Sequence, residues 1–350
     1  MNGRYVGYLA GHDPLHGFLS RIIRDCMGVR EPQPAFRVFR LSGSNEVYAY
    51  EEKFSAAKII CKFYGPRFGS DRDKAAWMAR KEYEGLETLR RYNLIGSPHH
   101  VIRPLGFSRD INGVLAVEYY CGEEFSHAIA RATQHGDDAH LYWRLKALAF
   151  FLATQHERTA NGAGVDFDPD CRYFDTVVGR LKRTHRIAQR DIDELSWLRD
   201  HWRNRPQMWQ DQQVWLHGDA TPANFLFGHG MDVAAIDLER MKRGDRMFDV
   251  GRVSGELQHA FMSAVGDRHR AEPFIRHFLW EYSCHFPDRQ RTFESITARA
   301  PYYMALNLLR IARNGYIGRD YAGRLVAQAK TLLRAPERQD LGCGVVGQAA

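Results

Sequence analysis

The chain has 350 residues, 44% of them hydrophobic and 26% charged, with a formal net charge of +7. That length and apolar content suffice for one large domain or two ordinary ones with a real core. No apolar run approaches the roughly 20 residues that span a bilayer, and Met1-Asn2-Gly3-Arg4-Tyr5 lacks the apolar stretch of a signal peptide, so a soluble, cytoplasmic protein with no membrane partner is expected. Six scattered cysteines without a Cys-x-x-Cys pair indicate neither a zinc ribbon nor a disulfide framework. The charge fits a solvated surface, and no nucleic-acid partner is expected.

Asp13-Pro14 is a helix-start signal, and Leu15, Phe18, Leu19, Ile22 and Ile23 follow at helical spacing up to Gly28. Residues 1–34 therefore read as a helical extension closed by Glu31-Pro32-Gln33-Pro34. Strand composition follows at 36–41, 47–52 and 56–64, the first two joined by Ser42-Gly43-Ser44-Asn45, which predicts an antiparallel meander. Residues 71–92 are strongly helical. After the Gly96-Ser97-Pro98 break, 101–107 and 114–120 read as two more strands joined by Asp110-Ile111-Asn112-Gly113. Beyond Gly122 the composition turns helical, most clearly at 128–132, 141–157 and 191–209, with 162–170 as a loop. Further helices are predicted at 257–265, 273–284, 293–313 and 321–333, and the small, polar stretch 341–350 reads as a flexible tail.

Between these helical blocks lie two short apolar runs, Val214 to Leu216 and Val233 to Ile236, each ending abruptly at polar residues. Buried strands deliver site side chains in this way. The residues delivered are Asp219, Asn224 and Asp237. A carboxylate can accept a proton from a hydroxyl, while an amide oxygen and a second carboxylate are hard ligands suited to Mg²⁺. His217-Gly218-Asp219, then Asn224, then Asp237-Leu238-Glu239 resembles the aminoglycoside phosphotransferase family, the small-molecule branch of the protein-kinase-like fold. Protein kinases carry an analogous His-Arg-Asp loop and Asp-Phe-Gly. Gly218 in place of Arg and Leu238-Glu239 in place of Phe-Gly are habits of the small-molecule branch.

The resemblance implies an α+β, bilobal protein-kinase-like fold: a nucleotide-binding N-lobe at 35–121 with a five-stranded antiparallel sheet and one helix, and a larger, mainly helical C-lobe at 122–340. Asp219 would be the catalytic residue, and Asn224 and Asp237 the Mg²⁺ ligands. Lys62, after Ile59-Ile60-Cys61, matches the lysine that binds the inner phosphates; Lys58 lies on the same strand face and is its rival. Glu82, in the family's Glu-x-x-x-Leu-x-x-Leu pattern with Leu86 and Leu89, would brace that lysine. Ser42, Gly43, Ser44 and Asn45 would cover the phosphates, and the backbone of Tyr119 and Cys121 would bind the adenine edge. His217 and Asp249 are structural neighbours of the catalytic loop, and Asp249 matches the acidic residue that anchors its backbone. The implied activity is an ATP- or GTP-dependent kinase of a small hydroxylated molecule. A non-catalytic nucleotide-binding scaffold and a protein kinase are the alternatives. The basic run Arg240, Lys242, Arg243 and Arg246 favours an anionic or neutral acceptor over a polycation.

Overall fold

The computed structural model describes residues 3–41, 46–69 and 71–335, so the Ser42–Asn45 turn and the 341–350 tail lie outside the described residues. The chain divides into two compact units, Met1–Gly122 with Ala234–Met241, and Glu123–Val233 with the chain from Lys242 onward.

The first unit is built on a sheet. Its strands are β1 (Arg4–Tyr8), β2 (Phe36–Arg40), β3 (Glu46–Glu52) and β4 (Lys58–Phe63). The helices are α1 (Pro14–Met27), the short α2 (Gly65–Phe68) and α3 (Arg72–Arg90). The short β5 (Ile95–Gly96) pairs with β6 (His99–Val101), and β7 (Pro104–Ser108) precedes β8 (Val114–Glu118). The main sheet has six strands in the order β1-β2-β3-β4-β8-β7, not the expected five. The additional strand, β1, pairs antiparallel with β2 at the sheet edge and is almost wholly exposed. An edge strand with no buried face carries no apolar alternation for a sequence pattern to display.

Helix α1 starts as its sequence dictates. Asp13 accepts from the Leu15 amide at 2.9 Å, and Gly28 ends the helix in the left-handed region at φ 71°. Its buried stripe, Leu15, Phe18, Leu19, Ile22 and Ile23, packs on Phe36, Val38, Tyr50, Ile59, Cys61, Val114 and Ala116. Because strand side chains alternate, Ile59 and Cys61 turn toward α1 while Lys62 takes the opposite face. There α3 buries Ala75, Ala79, Glu82, Leu86 and Leu89.

The second unit is mainly helical. In chain order it contains β9 (Glu123–Glu124), α4 (Phe125–His135), α5 (Asp138–Thr159), α6 (Asp168–Arg183) and α7 (Gln189–Arg203). Next come β10 (Gln213–Leu216), β11 (Phe225–Phe227) and β12 (Val233–Ala235), which leads back into the first unit. It closes with β13 (Lys242–Asp245), α8 (Met247–Ala264), α9 (Glu272–Ser283), α10 (Arg289–Ala312) and α11 (Arg319–Leu333). Strands β10 and β13 pair antiparallel, with Leu216 opposite Lys242, and β9 pairs with β11. Helix α8 starts ten residues earlier than the predicted 257, because Asp245, fully buried, accepts from the Met247 amide at 2.9 Å and from Arg299 at 2.7 Å. No helix among the described residues is long and apolar enough to cross a membrane. None of the five cysteines described is in a disulfide.

Candidate active site

The first unit holds a lysine among carboxylates. Lys62 Nζ donates to Glu82 Oε2 at 2.8 Å, to Asp237 Oδ1 at 2.7 Å and to Glu239 Oε2 at 3.3 Å. Lys62, Glu82 and Glu239 are buried, and the Asp237 side chain keeps 28% of its exposure. Burial alone would lower the ammonium's pKa, but the charges of Glu82 and Asp237 hold it well above the ordinary lysine value. Burial pushes Glu82 upward, against the pull of Lys62. The Tyr64 hydroxyl donates to the same Glu82 oxygen and fixes it further. Asp237 sits at φ 61°, a left-handed conformation uncommon outside glycine, and it presents its carboxylate to Lys62 immediately after β12.

The rival lysine is elsewhere. Lys58 lies over the Tyr119 ring at 5.3 Å, with the half-buried Tyr119 and the exposed Cys121 just beyond β8. Two participants in the cluster were not expected from the sequence: Tyr64 and Glu239. Glu82, Asp237 and Glu239 each offer a carboxylate oxygen within 4.8 Å of the others, a hard donor set suited to a divalent cation.

The second unit holds the His217-Gly218-Asp219 loop after β10. Gly218 has φ 78°, which explains why glycine stands there. Asp249, at the start of α8 and fully buried, accepts from the His217 amide at 2.7 Å and the Gly218 amide at 3.0 Å. His156 on α5 lies 3.3 Å from the same carboxylate and 2.9 Å from the Tyr282 hydroxyl. Burial would raise the Asp249 pKa, but the hydrogen bonds and positive field of His156, with His217 and the Gly218 amide, hold it below the ordinary carboxylate value. Asn224 closes the loop by donating its amide to the Asp219 carbonyl at 2.8 Å. That contact fixes which end of the side chain is the oxygen and leaves a ligand of the type Mg²⁺ takes.

Asp219 itself meets two arginines that the sequence did not suggest. Arg252 Nη1 donates to Asp219 Oδ1 at 2.8 Å and to the Gly218 carbonyl at 2.7 Å, and Arg310 Nη1 lies 3.5 Å from the same Oδ1. They come from α8 and α10. A Cβ on Gly251 would lie 2.3 Å from the Tyr303 Cβ and one on Gly255 3.0 Å from the Asn307 Cβ, so the helices approach closely because these positions have no side chain. By contrast, the basic residues after Asp237 have partners of their own. Lys242 pairs with Asp170 at 3.1 Å, Arg246 with Asp211 at 2.8 Å, and Arg243 donates to the Thr159 carbonyl at 3.0 Å. A cavity of about 620 Å³ among α8 to α11, lined by Gln258, Arg268, Ile275 and Met304, contains none of these site residues.

Residues 44–285 match the family model described as a phosphotransferase enzyme family. A search of curated proteins returned no significant match. Among solved structures, a Plasmodium vivax ethanolamine kinase is similar at 13% identity and a TM-score of 0.57, covering 93% of this chain and 89% of that one. The gentamicin complex of APH(2")-IIa is similar at 13% identity and a TM-score of 0.55, over 93% and 96% of the two chains. An amicoumacin kinase bound to AMP-PNP and Ca²⁺ is similar at 14% identity and a TM-score of 0.54, over 85% and 88%. At these identities the likeness shows the fold alone.

Proposed function

Because the chain belongs to the phosphotransferase enzyme family, we propose that it transfers the γ-phosphate of ATP or GTP to a hydroxyl of a small molecule. The observation that carries this reading is the Lys62 cluster: a buried ammonium 2.8 Å from Glu82 and 2.7 Å from Asp237. Such a lysine, charged and held in one place, suits the inner phosphates, and Glu82 keeps it there. Ser42, Gly43, Ser44 and Asn45 would cover the nucleotide phosphates, and the backbone at Tyr119 and Cys121 would bind the base. Asp237 and Asn224 supply a carboxylate and an amide oxygen for Mg²⁺. The metal, when bound, neutralises charge on the transferring phosphoryl group.

Asp219 is the acceptor's partner. The acceptor oxygen forms its bond to the γ-phosphorus, the bond from that phosphorus to the nucleoside diphosphate breaks, and the hydroxyl proton passes to the Asp219 carboxylate. Positioning and charge neutralisation supply most of the rate, since the transition state is loose and needs little covalent help. The Asp249 hydrogen bonds to the His217 and Gly218 amides hold the loop that carries this carboxylate.

The test is ADP or GDP release from the full chain with Mg²⁺ and nucleotide, across sugars, amino alcohols, aminoglycosides, nucleosides and hydroxy acids. Turnover with one acceptor, lost in Asp219→Ala, is the expected result. Failure to bind nucleotide in the presence of Mg²⁺ would sink the reading.

A further inference from the structure

We infer that the acceptor is an anion: a hydroxylated small molecule carrying a carboxylate or phosphate, which Arg310 and Arg252 read beside Asp219. The inference rests on the phosphotransferase reading, and deepens it by naming the substrate class. Its basis lies wholly within the second unit.

Arg252 is 4% exposed and Arg310 is enclosed between α8 and α10, so both guanidiniums are fixed and largely removed from water. Arg310 Nε donates to Asn307 at 3.1 Å and its Nη2 to Glu256 at 2.9 Å, while Asn307 in turn donates to Glu256 at 3.2 Å. This frame orients one edge of the Arg310 fork toward Asp219. Arg252 is gripped through the Gly218 carbonyl and lies 4.8 Å over the Phe248 ring.

A third group completes the set. The Tyr173 hydroxyl is buried without a hydrogen-bond partner, its ring packs on Phe248 at 5.8 Å, and it is close enough to both guanidiniums to act on their charge. A buried hydroxyl next to two cations is a donor in need of an acceptor. An oxyanion satisfies all three groups at once, and guanidiniums bind carboxylates and phosphates through matched pairs of N–H donors.

The balance of charge points the same way. Burial, and then the neighbouring Arg310, lower the Arg252 pKa, and Asp219 only partly opposes them. Glu256 accepts from Arg310 at 2.9 Å and Asp219 from Arg252 at 2.8 Å, so the cluster is formally neutral and Asp219 has no charge left over for a polycation, which would have to displace one of two fixed guanidiniums; an anion would not.

The experiment measures binding and turnover separately on the full chain, with hydroxy acids, sugar phosphates, the neutral amides and sugars matched to them, and aminoglycosides. Calorimetry in the presence of ADP and Mg²⁺ reads binding; ADP release from ATP reads turnover. The expected result is that an anionic acceptor binds at least about tenfold more tightly than its neutral counterpart, and that Arg310→Gln removes this preference. Arg310→Lys should restore part of it, and Tyr173→Phe should weaken it less, with circular dichroism confirming that each variant is folded. Whether carboxylates or phosphates bind identifies the anion. Equal binding of charged and neutral counterparts, or tighter binding of aminoglycosides, overturns the inference even if a neutral acceptor proves the kinase. Anion binding that Arg310→Gln abolishes, without any phosphate transfer, would leave an anion site beside Asp219 but overturn its assignment to an acceptor, together with the phosphotransferase reading.

Discussion

The first unit surrounds one ammonium, Lys62, with the carboxylates of Glu82, Asp237 and Glu239; the second sets one carboxylate, Asp219, against the guanidiniums of Arg252 and Arg310. The groups at their centres are opposite in sign. In the first, negative charge exceeds positive, which suits a divalent cation. In the second, the central carboxylate is held by cations, which suits an acceptor that brings its own negative charge. Each also has a different kind of frame. Lys62 is fixed by side chains from α3 and from the chain leaving β12, whereas the loop that carries Asp219 is fixed largely through backbone groups, the His217 and Gly218 amides on Asp249 and the Asp219 carbonyl on Asn224.

The largest expected effect comes from deleting the centre of the second cluster. Asp219→Ala should reduce turnover by about 10²–10⁴-fold while nucleotide affinity stays near that of the wild type. Steady-state kinetics beside a nucleotide titration would check this, and full turnover in the variant would remove Asp219 from the reaction. Deleting the centre of the first cluster should act differently. Lys62→Met leaves like-charged carboxylates facing each other in a buried site, with a stability loss of about 3–5 kcal/mol in urea unfolding and weakened nucleotide binding. Lys58→Met, beside Tyr119, should stay within about 0.5 kcal/mol and keep nucleotide affinity. Reversed outcomes would hand the phosphate role to Lys58.

The approach of α8 to α10 supplies a third test. In Gly251→Ala the new methyl would meet the Tyr303 Cβ at 2.3 Å and its backbone at 3.3 Å, neither of which is a flexible tip. A cost of about 1–3 kcal/mol is expected, with the acceptor KM rising as Arg252 and Arg310 are pushed apart. An unaffected KM would show that the separation of these helices does not set the arginine pair.

Much of the first cluster was legible in the sequence because its signals are local. Period-two alternation along β4 separates Lys62 from Ile59 and Cys61, and Glu82 shares a helical face with Leu86 and Leu89. Tyr64 and Glu239 sit beside those motifs, yet their part depends on where the chain turns next; the left-handed backbone at Asp237 sets the direction in which Glu239 leaves the strand. The arginines of the second cluster left no such trace. Arg252 and Arg310 lie on two helices far apart in sequence, and the missing side chains at Gly251 and Gly255 mark their convergence. The basic run at 240–246 is a weaker guide for the complementary reason. Composition counts charges but does not report that Lys242 and Arg246 already face Asp170 and Asp211.

The smallest effect concerns the backbone frame of the second cluster, and its sign is set by Asp249. The pKa of this carboxylate is depressed in the folded chain by His156 and the loop amides, relative to about 3.9 when unfolded. Its contribution is therefore fully present above the unfolded value and is lost as the pH falls through the lower folded value. Asp249→Asn cannot accept from the His217 and Gly218 amides through two equivalent oxygens, and a loss of about 1 kcal/mol is expected at neutral pH. The decisive reading is the pH profile. Urea unfolding between about pH 3 and 6 should show the stability gap between wild type and variant narrowing toward acid, as the wild-type carboxylate takes up its proton. A gap that stays constant across that range would mean the loop is not held by the Asp249 charge, and the contrast between a charge-framed Lys62 and a backbone-framed Asp219 would then need a different anchor.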